Sequence, residues 1–393
     1  MIKKQFILYL YLFALLSIHK VKSQNEYLVT VDPSSCSINL FDSVPGVAWI
    51  GGNSSALDEN HHYYFFVAKS FNGTSNYLYT MNTLNGNVVY NPKIHNTTDS
   101  LLIGLQYDNN SDTLYGILEV NSLQTSFFVW IDYVTGFIHT ISGLPGQYFT
   151  IGCSTYDKNH HFYFYADGPN QYVLNARTGS VIFSYPMPQN YLLEYNSTND
   201  KLYGLKQPTS GVFQFDSITV STGTAHAIAT MPFNSIVGMP LMKALDEVHN
   251  RYFCVGLIGS NYMLYSIDIL TGSVISNPTD PYVYSNNNLI EFKYDNVLDT
   301  LFALHWGTST SNGILATPGK NVKIDVYPNP SENIITITSS EQLGVISIYD
   351  LLGVMVLEYK KSEHTKQQID ISQLPAGIYI IQASAQKVKF IKE

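Results

Sequence analysis

The sequence predicts an all-β protein: a six-bladed β-propeller of four-stranded blades followed by a small C-terminal β-sandwich. Three observations carry this expectation. Aromatic residues make up 13% of the 393 residues, with 30 Tyr and 20 Phe, and such side chains suit a pleated, half-buried surface. One turn-and-strand signature returns six times between residues 58 and 302, at a period of about 40–50 residues that is typical of propellers and solenoids. Seven short alternating segments then crowd into residues 322–393, the pattern of a small sandwich.

Composition narrows the function classes. Charged residues are 13% of the chain, against roughly 25% in ordinary soluble proteins. The net charge is −9 and no basic patch interrupts it, which argues against nucleic acid as a partner, since phosphate binding needs clustered Lys and Arg. Only Lys387, Lys389 and Lys392 gather, at the C-terminus. Cys36, Cys153 and Cys254 form an odd, sparse set with no Cys-x-x-Cys, so neither a disulfide framework nor a zinc ribbon is indicated. A single disulfide among them stays open.

The chain begins with Lys3 and Lys4, an apolar run over 6–18, and a small residue at Ser23 with Val21 two positions before it. That order is a secretory signal peptide, residues 1–23, with cleavage expected at Ser23 and Gln24 as the new N-terminus. The run falls short of the about 20 apolar residues of a spanning helix. No later segment is long and apolar enough to span, so the mature chain is expected to carry no transmembrane segment.

The body, residues 24–306, repeats two signals. In the first, an Asx residue precedes an aromatic or apolar strand. Asp58, Asp108, Asp157, Asn196, Asp246 and Asp295 occupy this position, at intervals of 50, 49, 39, 50 and 49 residues. In the second, a turn ends in Gly four residues after its start: Asn82 to Gly86, Asp132 to Gly136, Asn175 to Gly179, Thr219 to Gly223 and Asp268 to Gly272. Asx side chains bond the local backbone and Gly supplies a positive φ. Alternating apolar runs flank each turn, as strands do. Blade three shows the whole unit, with strands at 150–156, 162–166, 172–175 and 180–185. Four antiparallel strands at this period are a propeller blade.

Six turns of the first kind face five Gly hairpins. The sixth hairpin is Asp32-Pro33-Ser34-Ser35-Cys36, with Cys36 in the Gly position. The strands beside it, 27–31 and 37–41, then form the outer half of the last blade, whose inner half lies within 289–306. Closing the ring with both chain ends removes open sheet edges. Residues 313–316 compete for the third strand of that blade. The blades also alternate: Asp58, Asp157 and Asp246 have His three residues on, whereas Asp108, Asn196 and Asp295 have Asp four residues on. A two-blade unit used three times explains this.

Candidate chemistry is sparse. His61, His160 and His249 are possible metal ligands by type, but equivalent positions in different blades are spread around a ring, and zinc needs ligands within about 2.1 Å of one point. Turn polarity is the simpler reading. Asp108, Asn110, Asp112 and Glu119 imitate a calcium loop, yet Thr113 stands where Gly is needed and the strand from Leu114 carries Glu119 away. No Gly-x-Ser-x-Gly elbow, His-Glu-x-x-His pair or phosphate-cradling Gly loop occurs. No catalytic, cofactor or metal residue is therefore assigned, and no cofactor is implied. Tyr148, Tyr191, Tyr282, Tyr284 and Trp306 are loop aromatics suited to a sugar or protein platform. Triplets such as Asp42-Ser43-Val44 and Asp299-Thr300-Leu301 resemble the O-glycosylation acceptor pattern of exported Bacteroidetes proteins. They are also ordinary turn chemistry.

Residues 307–321 have linker composition, rich in Ser, Thr, Gly and Asn. Beyond them stand Tyr327-Pro328-Asn329-Pro330, then Ile348-Tyr349-Asp350-Leu351-Leu352-Gly353, then Leu374-Pro375-Ala376-Gly377-Ile378-Tyr379, and finally Lys389-Phe390-Ile391-Lys392. In this order they resemble the type A C-terminal sorting domain of the type IX secretion system, over residues 322–393. The resemblance implies a Bacteroidetes source, Sec export to the periplasm and outer-membrane translocation by the type IX machinery. It further implies tail removal, with the product secreted or attached to the outer cell surface. The expected function is a binding or adhesion propeller for an extracellular glycan or protein. The alternative is a propeller hydrolase or lyase acting on extracellular polysaccharide, and a third is a structural surface component. A binding propeller would line its channel mouth with aromatics and neutral polar groups. An enzyme would bury two or more close carboxylates with shifted pKa there.

Overall fold

The computed structural model describes residues 25–44, 47–70, 75–95, 100–145, 154–167, 170–186, 192–236, 242–279, 288–307, 324–339, 343–350, 355–362, 364–383 and 386–393. The leader with Ser23 and Gln24, Cys153, Gly353, the aromatics Tyr148, Tyr191, Tyr282 and Tyr284, and segment 313–316 lie outside these residues. The chain divides into two compact units, Met1–Gly313 and Ile314–Glu393.

Among the described residues, all regular structure is β, and the N-terminal unit carries six antiparallel sheets. Four follow the chain directly, each from four consecutive strands. The first runs Val47–Asp58, Tyr63–Ser70, Asn76–Asn82 and Val88–Tyr90, and the second Ser100–Asp108, Thr113–Val120, Thr125–Ile131 and Ile138–Gly143. The third is Thr155–Asp157, Phe162–Asp167, Asn170–Asn175 and Val181–Pro186. The fourth is Leu192–Asn196, Lys201–Thr209, Val212–Thr219 and Ala225–Thr230. The fifth has five strands, because its first strand is in two pieces, Ser235–Ile236 and Lys243–Asp246, that pair end to end with Arg251–Ile258. The sixth joins both ends of the unit: Asn288–Asp295 and Thr300–Gly307 are followed in space by Asn25–Val31 and Ile38–Val44. Tyr27 pairs His305 and Val31 pairs Leu301 in an unbroken register. The first strands of successive sheets touch one another, and that of the sixth touches that of the first.

The buried Asx residues explain why the chain turns where it does. Asp58, Asp108, Asp157, Asn196, Asp246 and Asp295 end the first strands and are fully buried. In five of these turns the side chain accepts the backbone N–H groups two and three residues on, at 2.8–3.2 Å. Asp108 accepts from Asn110 N and from the Ser111 hydroxyl instead. The residue four positions after each Asx is left-handed, with φ of 51–59° (His62, Asp112, His161, Asp200, Asn250 and Asp299). Asn, Asp and His tolerate that region better than most side chains.

At the second kind of turn, Gly86, Gly136, Gly179, Gly223 and Gly272 have φ of 69–77°, and Cys36 has φ of 55°. Each N–H donates to the carbonyl four residues back at 2.7–2.9 Å, Cys36 to Asp32 included. Aromatic stacking between sheets repeats with the predicted two-blade period. Phe65 on Tyr107, Phe164 on Tyr195 and Phe253 on Tyr294 all lie at 5.3 Å between ring centres.

The C-terminal unit holds two sheets, one of Ile324–Tyr327, Ile334–Ser339 and Lys366–Asp370, the other of Met355–Ser362, Gly344–Tyr349, Gly377–Ala383 and Gln386–Lys392. Ile335, Ile337 and Ile369 of the first sheet share one core with Ile346, Ile348, Ile381 and Phe390 of the second.

Two glycines with nearly the same φ separate backbone strain from packing. A Cβ on Gly223 (φ 69°) would lie 2.2 Å from the Tyr185 ring, whereas one on Gly211 (φ 76°) would meet nothing within 4 Å. In urea denaturation, Gly211→Ala is expected to cost about 1–2 kcal/mol, the left-handed penalty alone. Gly223→Ala should exceed it by at least about 1 kcal/mol through overpacking. Equal losses would contradict the packing described for this turn.

Candidate functional site in the axial channel

The residue after each buried Asx lines one rim: Glu59, Asn109, Lys158, Ser197, Glu247 and Asn296. These turns grip one another around the ring. Asn109 Oδ1 accepts from Glu59 N at 3.0 Å, and Asn110 Nδ2 donates to Lys158 O at 2.6 Å. Asn159 Nδ2 donates to Ser197 O at 2.8 Å, Glu247 N to Asn296 Oδ1 at 2.8 Å, and Asn296 Nδ2 to Glu59 Oε1 at 2.8 Å. Lys158 Nζ stands between two carboxylates, 3.7 Å from Glu59 and 3.8 Å from Glu247. Burial pushes the Glu247 carboxyl above its usual range, opposed by Lys158 and helped by Glu59.

Behind this rim lies a cavity of about 120 Å³, lined among others by Gln106, Thr155, Glu194, Lys293, Tyr107 and Tyr195. Glu194 accepts a short bond from Lys243, which also donates to Leu193 O at 2.7 Å. Glu291 accepts from Ser54 N at 3.2 Å and from Ser55 Oγ at 2.6 Å. Burial lowers the pKa of Lys293; Glu194 and Glu291 oppose that shift and Lys243 adds to it. The channel thus combines aromatic and neutral polar groups with paired charges.

Three further clusters repeat beside the turns. Asp58, His61 and Asp112 bring their ligand atoms within 4.8 Å, as do Asp157, His160 and Asp200, and Asp246, His249 and Asp299. Each joins two neighbouring sheets, so the histidines act in three separate places rather than at one. His61 Nδ1 lies 2.7 Å from Asp58 and His160 Nδ1 2.7 Å from Asp157. The hydroxyls of Tyr107, Tyr195 and Tyr294 donate to Asp112, Asp200 and Asp299. In the third cluster the Arg251 guanidinium contacts both carboxylates, at 2.6 Å from Asp246 and 3.2 Å from Asp299. In this third cluster a chain cation thus balances the carboxylates, and no metal is assigned to any of the three. Asp108 of the calcium-like segment is held by Tyr156 OH at 2.9 Å and His161 Nδ1 at 2.6 Å. Thr113–Val120 is a strand, and it carries Glu119 away from that turn.

Of the sequence-predicted residues, Tyr327, Pro328, Asn329 and Pro330 are exposed, as is Lys389, whereas Lys392 is buried and Asp350 half-buried. Asn329 clamps the last strand: its Nδ2 donates to Lys389 O at 3.1 Å and its Oδ1 accepts Ile391 N at 2.9 Å. Gly377 opens the strand Gly377–Ala383. Trp306 lies within the strand Thr300–Gly307. Cys36 and Cys254 are buried in separate cores. The channel residues Glu59, Lys158, Glu194, Lys243, Glu247 and Lys293 were not singled out from the sequence. Register counted from the buried Asx was the available signal: Glu59, Lys158 and Glu247 lie one residue after it, Glu194 and Lys293 two before it, and Lys243 three before it.

The histidine clusters make a titration testable. Hydrogen bonding to Asp58 and Asp157 raises His61 and His160 above the ordinary 6.5. A raised folded-state pKa stabilises the fold below the unfolded value, and that contribution is lost as pH rises through the folded value. NMR titration should place both histidines above 6.5. Asp58→Asn should bring His61 back toward it while leaving His160 in place. Unchanged titration of His61 in that variant would contradict the assigned cause.

Comparison with known proteins fits this architecture. Residues 325–393 match the family described as secretion system C-terminal sorting domain. A search of curated proteins finds no match. Among solved structures, the putative TolB from Agrobacterium tumefaciens has a TM-score of 0.52 at 8% identity, covering 73% of this chain and 100% of that one. TolB from Acinetobacter baumannii has a TM-score of 0.43 at 10% identity, covering 73% of this chain and 64% of that one. The Cps50 (Swd1) beta-propeller domain of Myceliophteria thermophila has 0.44 at 9%, covering 71% and 93%. Such likeness concerns the fold alone, an all-β body of four-stranded antiparallel sheets with propeller neighbours. The chain ends in a type IX secretion C-terminal sorting domain, which marks it for export and for secretion or attachment to the outer cell surface.

Proposed function

We propose that the body, residues 24–306, is a closed six-bladed propeller that binds an extracellular glycan or protein. We further propose that residues 322–393 form a small sandwich serving as its removable sorting signal, joined through the linker 307–321. The sorting-domain match at residues 325–393 carries this reading, because a chain marked for export meets its ligands outside the cell. The signal peptide at residues 1–23 fits the same route. The cyclic contacts of the first strands and the shared sixth sheet support the six-bladed count. Repeat rings offer a broad loop-lined face for a partner.

The channel favours binding over hydrolysis. Glu59 and Glu247 flank Lys158, so their charge is already engaged. Burial raises the pKa of Glu247 and Lys158 opposes that shift, so this carboxyl is held beside a cation rather than set opposite a second catalytic carboxyl.

One experiment tests both halves. Deletion of residues 322–393 should leave the protein in the periplasm, and normal surface display of the truncated chain would overturn the sorting role. The exported wild type, applied to a glycan array and to an extracellular-protein pull-down, should retain a specific ligand. Hydrolysis of a polysaccharide panel with no ligand retained would overturn the binding role.

A further inference from the structure

The second and third sheets depart from the repeat at Trp130 and Arg177, and both residues line one groove of about 640 Å³. Trp130 lies two residues before its Gly hairpin. The first, third, fourth and fifth sheets carry Thr80, Val173, Ser217 and Ser266 there, all buried. Trp130 is 37% exposed, and its ring is stacked on His139 of the paired strand, 3.9 Å between centres and 5° between planes. Arg177 stands in the hairpin of the third sheet, where the first, second and fifth carry Leu84, Val134 and Leu270. Its guanidinium can only donate, and it meets His161 Nε2 at 2.8 Å. His161 Nδ1 in turn donates to the buried Asp108 Oδ2 at 2.6 Å. Arg177 is therefore aimed by a chain of contacts that starts at a buried carboxylate. Asp112 lines the same groove with its side chain 58% exposed, and the Tyr107 hydroxyl donates to one of its oxygens. Tyr115 and Tyr133 add two further rings to the wall.

We propose that this groove is a glycan-binding site and that it takes neutral hexose units. The inference rests on the reading of the body as an extracellular binding propeller, and it adds the place and the sugar class. A pyranose ring has an apolar face of C–H groups edged by hydroxyls. An indole held flat by a stacked neighbour offers that face a preformed surface, at little cost in side-chain freedom. The hydroxyls need donors and acceptors that are fixed in advance. Asp112, oriented by Tyr107, accepts from them, and Arg177, oriented by His161, donates to them. Hydrogen bonds to such ionised groups are roughly twice as strong as those between neutral ones. Charge narrows the sugar. Asp112 and Asp132 outnumber Arg177 in the lining, which disfavours uronic acids and sulfated sugars. Size narrows the partner. A protein partner covers about 800 Å² of surface, whereas concave sites of about 300–1,000 Å³ hold small molecules.

The test is calorimetric titration of the exported protein with cellohexaose, laminarihexaose and mannohexaose, beside hexagalacturonate and hexaglucosamine as charged sugars. At least one neutral hexasaccharide should bind, and both charged ones at least about tenfold more weakly. Trp130→Ala and Arg177→Met should each weaken the neutral sugar at least about tenfold. Trp130→Phe, which keeps a ring, should recover part of that loss. Leu270→Ala, in the hairpin of the fifth sheet, should leave affinity unchanged. A neutral sugar bound equally well by wild type and by Trp130→Ala would overturn this site while leaving the binding role of the propeller standing. Tighter binding of a charged hexasaccharide would overturn the sugar class. Retention of a protein through Trp130 with no saccharide bound would overturn the glycan assignment, and failure to bind any saccharide or protein would overturn the binding role as well.

Discussion

A buried Asp or Asn side chain at the end of each first strand is the interaction on which the N-terminal unit depends. A carboxylate at zero exposure is tolerated because donors of the turn bond to it, Asp295 keeping one oxygen without a partner among the described residues. Those donors are the backbone N–H groups of the turn that follows, so the turn and the burial require each other. The same geometry forces the residue four positions on into the left-handed region and points the residue one position on into the channel. Six copies of one local device thus set both the folding of each sheet and the lining of the axis. Removing a donor set would strand a buried charge, a loss of about 1–3 kcal/mol or more for each group left unsatisfied.

Alternation between two versions of this turn gives the ring its three-part character. Within each pair of sheets, a histidine on one Asp faces an aspartate on the next turn, held by a tyrosine hydroxyl. Between pairs, a different contact operates. The buried hydroxyls of Tyr64, Tyr163 and Tyr252 reach carbonyls of the preceding sheet, those of Glu291, Gly104 and Leu192, the last at 2.6 Å and Gly104 at 2.5 Å. The corresponding positions of the other sheets carry Leu114, Leu202 and Leu301, which have no hydroxyl to offer. Polar contacts within pairs and between pairs are therefore of separate kinds, and the third pair adds Arg251 to its cluster.

The parts of this structure legible in the sequence were the local ones. An Asx residue followed by an aromatic run, a Gly four residues after a turn start, and Cys36 standing in a glycine's place all act through neighbouring backbone. They can be read from spacing alone. The tail was legible for a different reason: Asn329 and the final Lys389-to-Lys392 strand are far apart in sequence but recur as a fixed set of motifs. The channel was hidden because its six rim positions share a register and not a residue type. Glu59, Asn109, Lys158, Ser197, Glu247 and Asn296 look like unrelated turn polarity until the turns are superposed. The irregular first strands were equally hidden, since the left-handed Glu291 and Gly104 follow from packing between sheets.

The N-terminal strand completes the sixth sheet by pairing along the strand Thr300–Gly307. Leu28, Val29 and Val31 are buried there, paired to the strand Thr300–Gly307. Amide hydrogen exchange measures this most directly. If the strand locks the ring, residues 28–31 exchange only through the same global opening as residues 301–305, with matching protection. Rapid exchange of residues 28–31, as in a frayed terminus, while residues 301–305 stay protected would contradict the account.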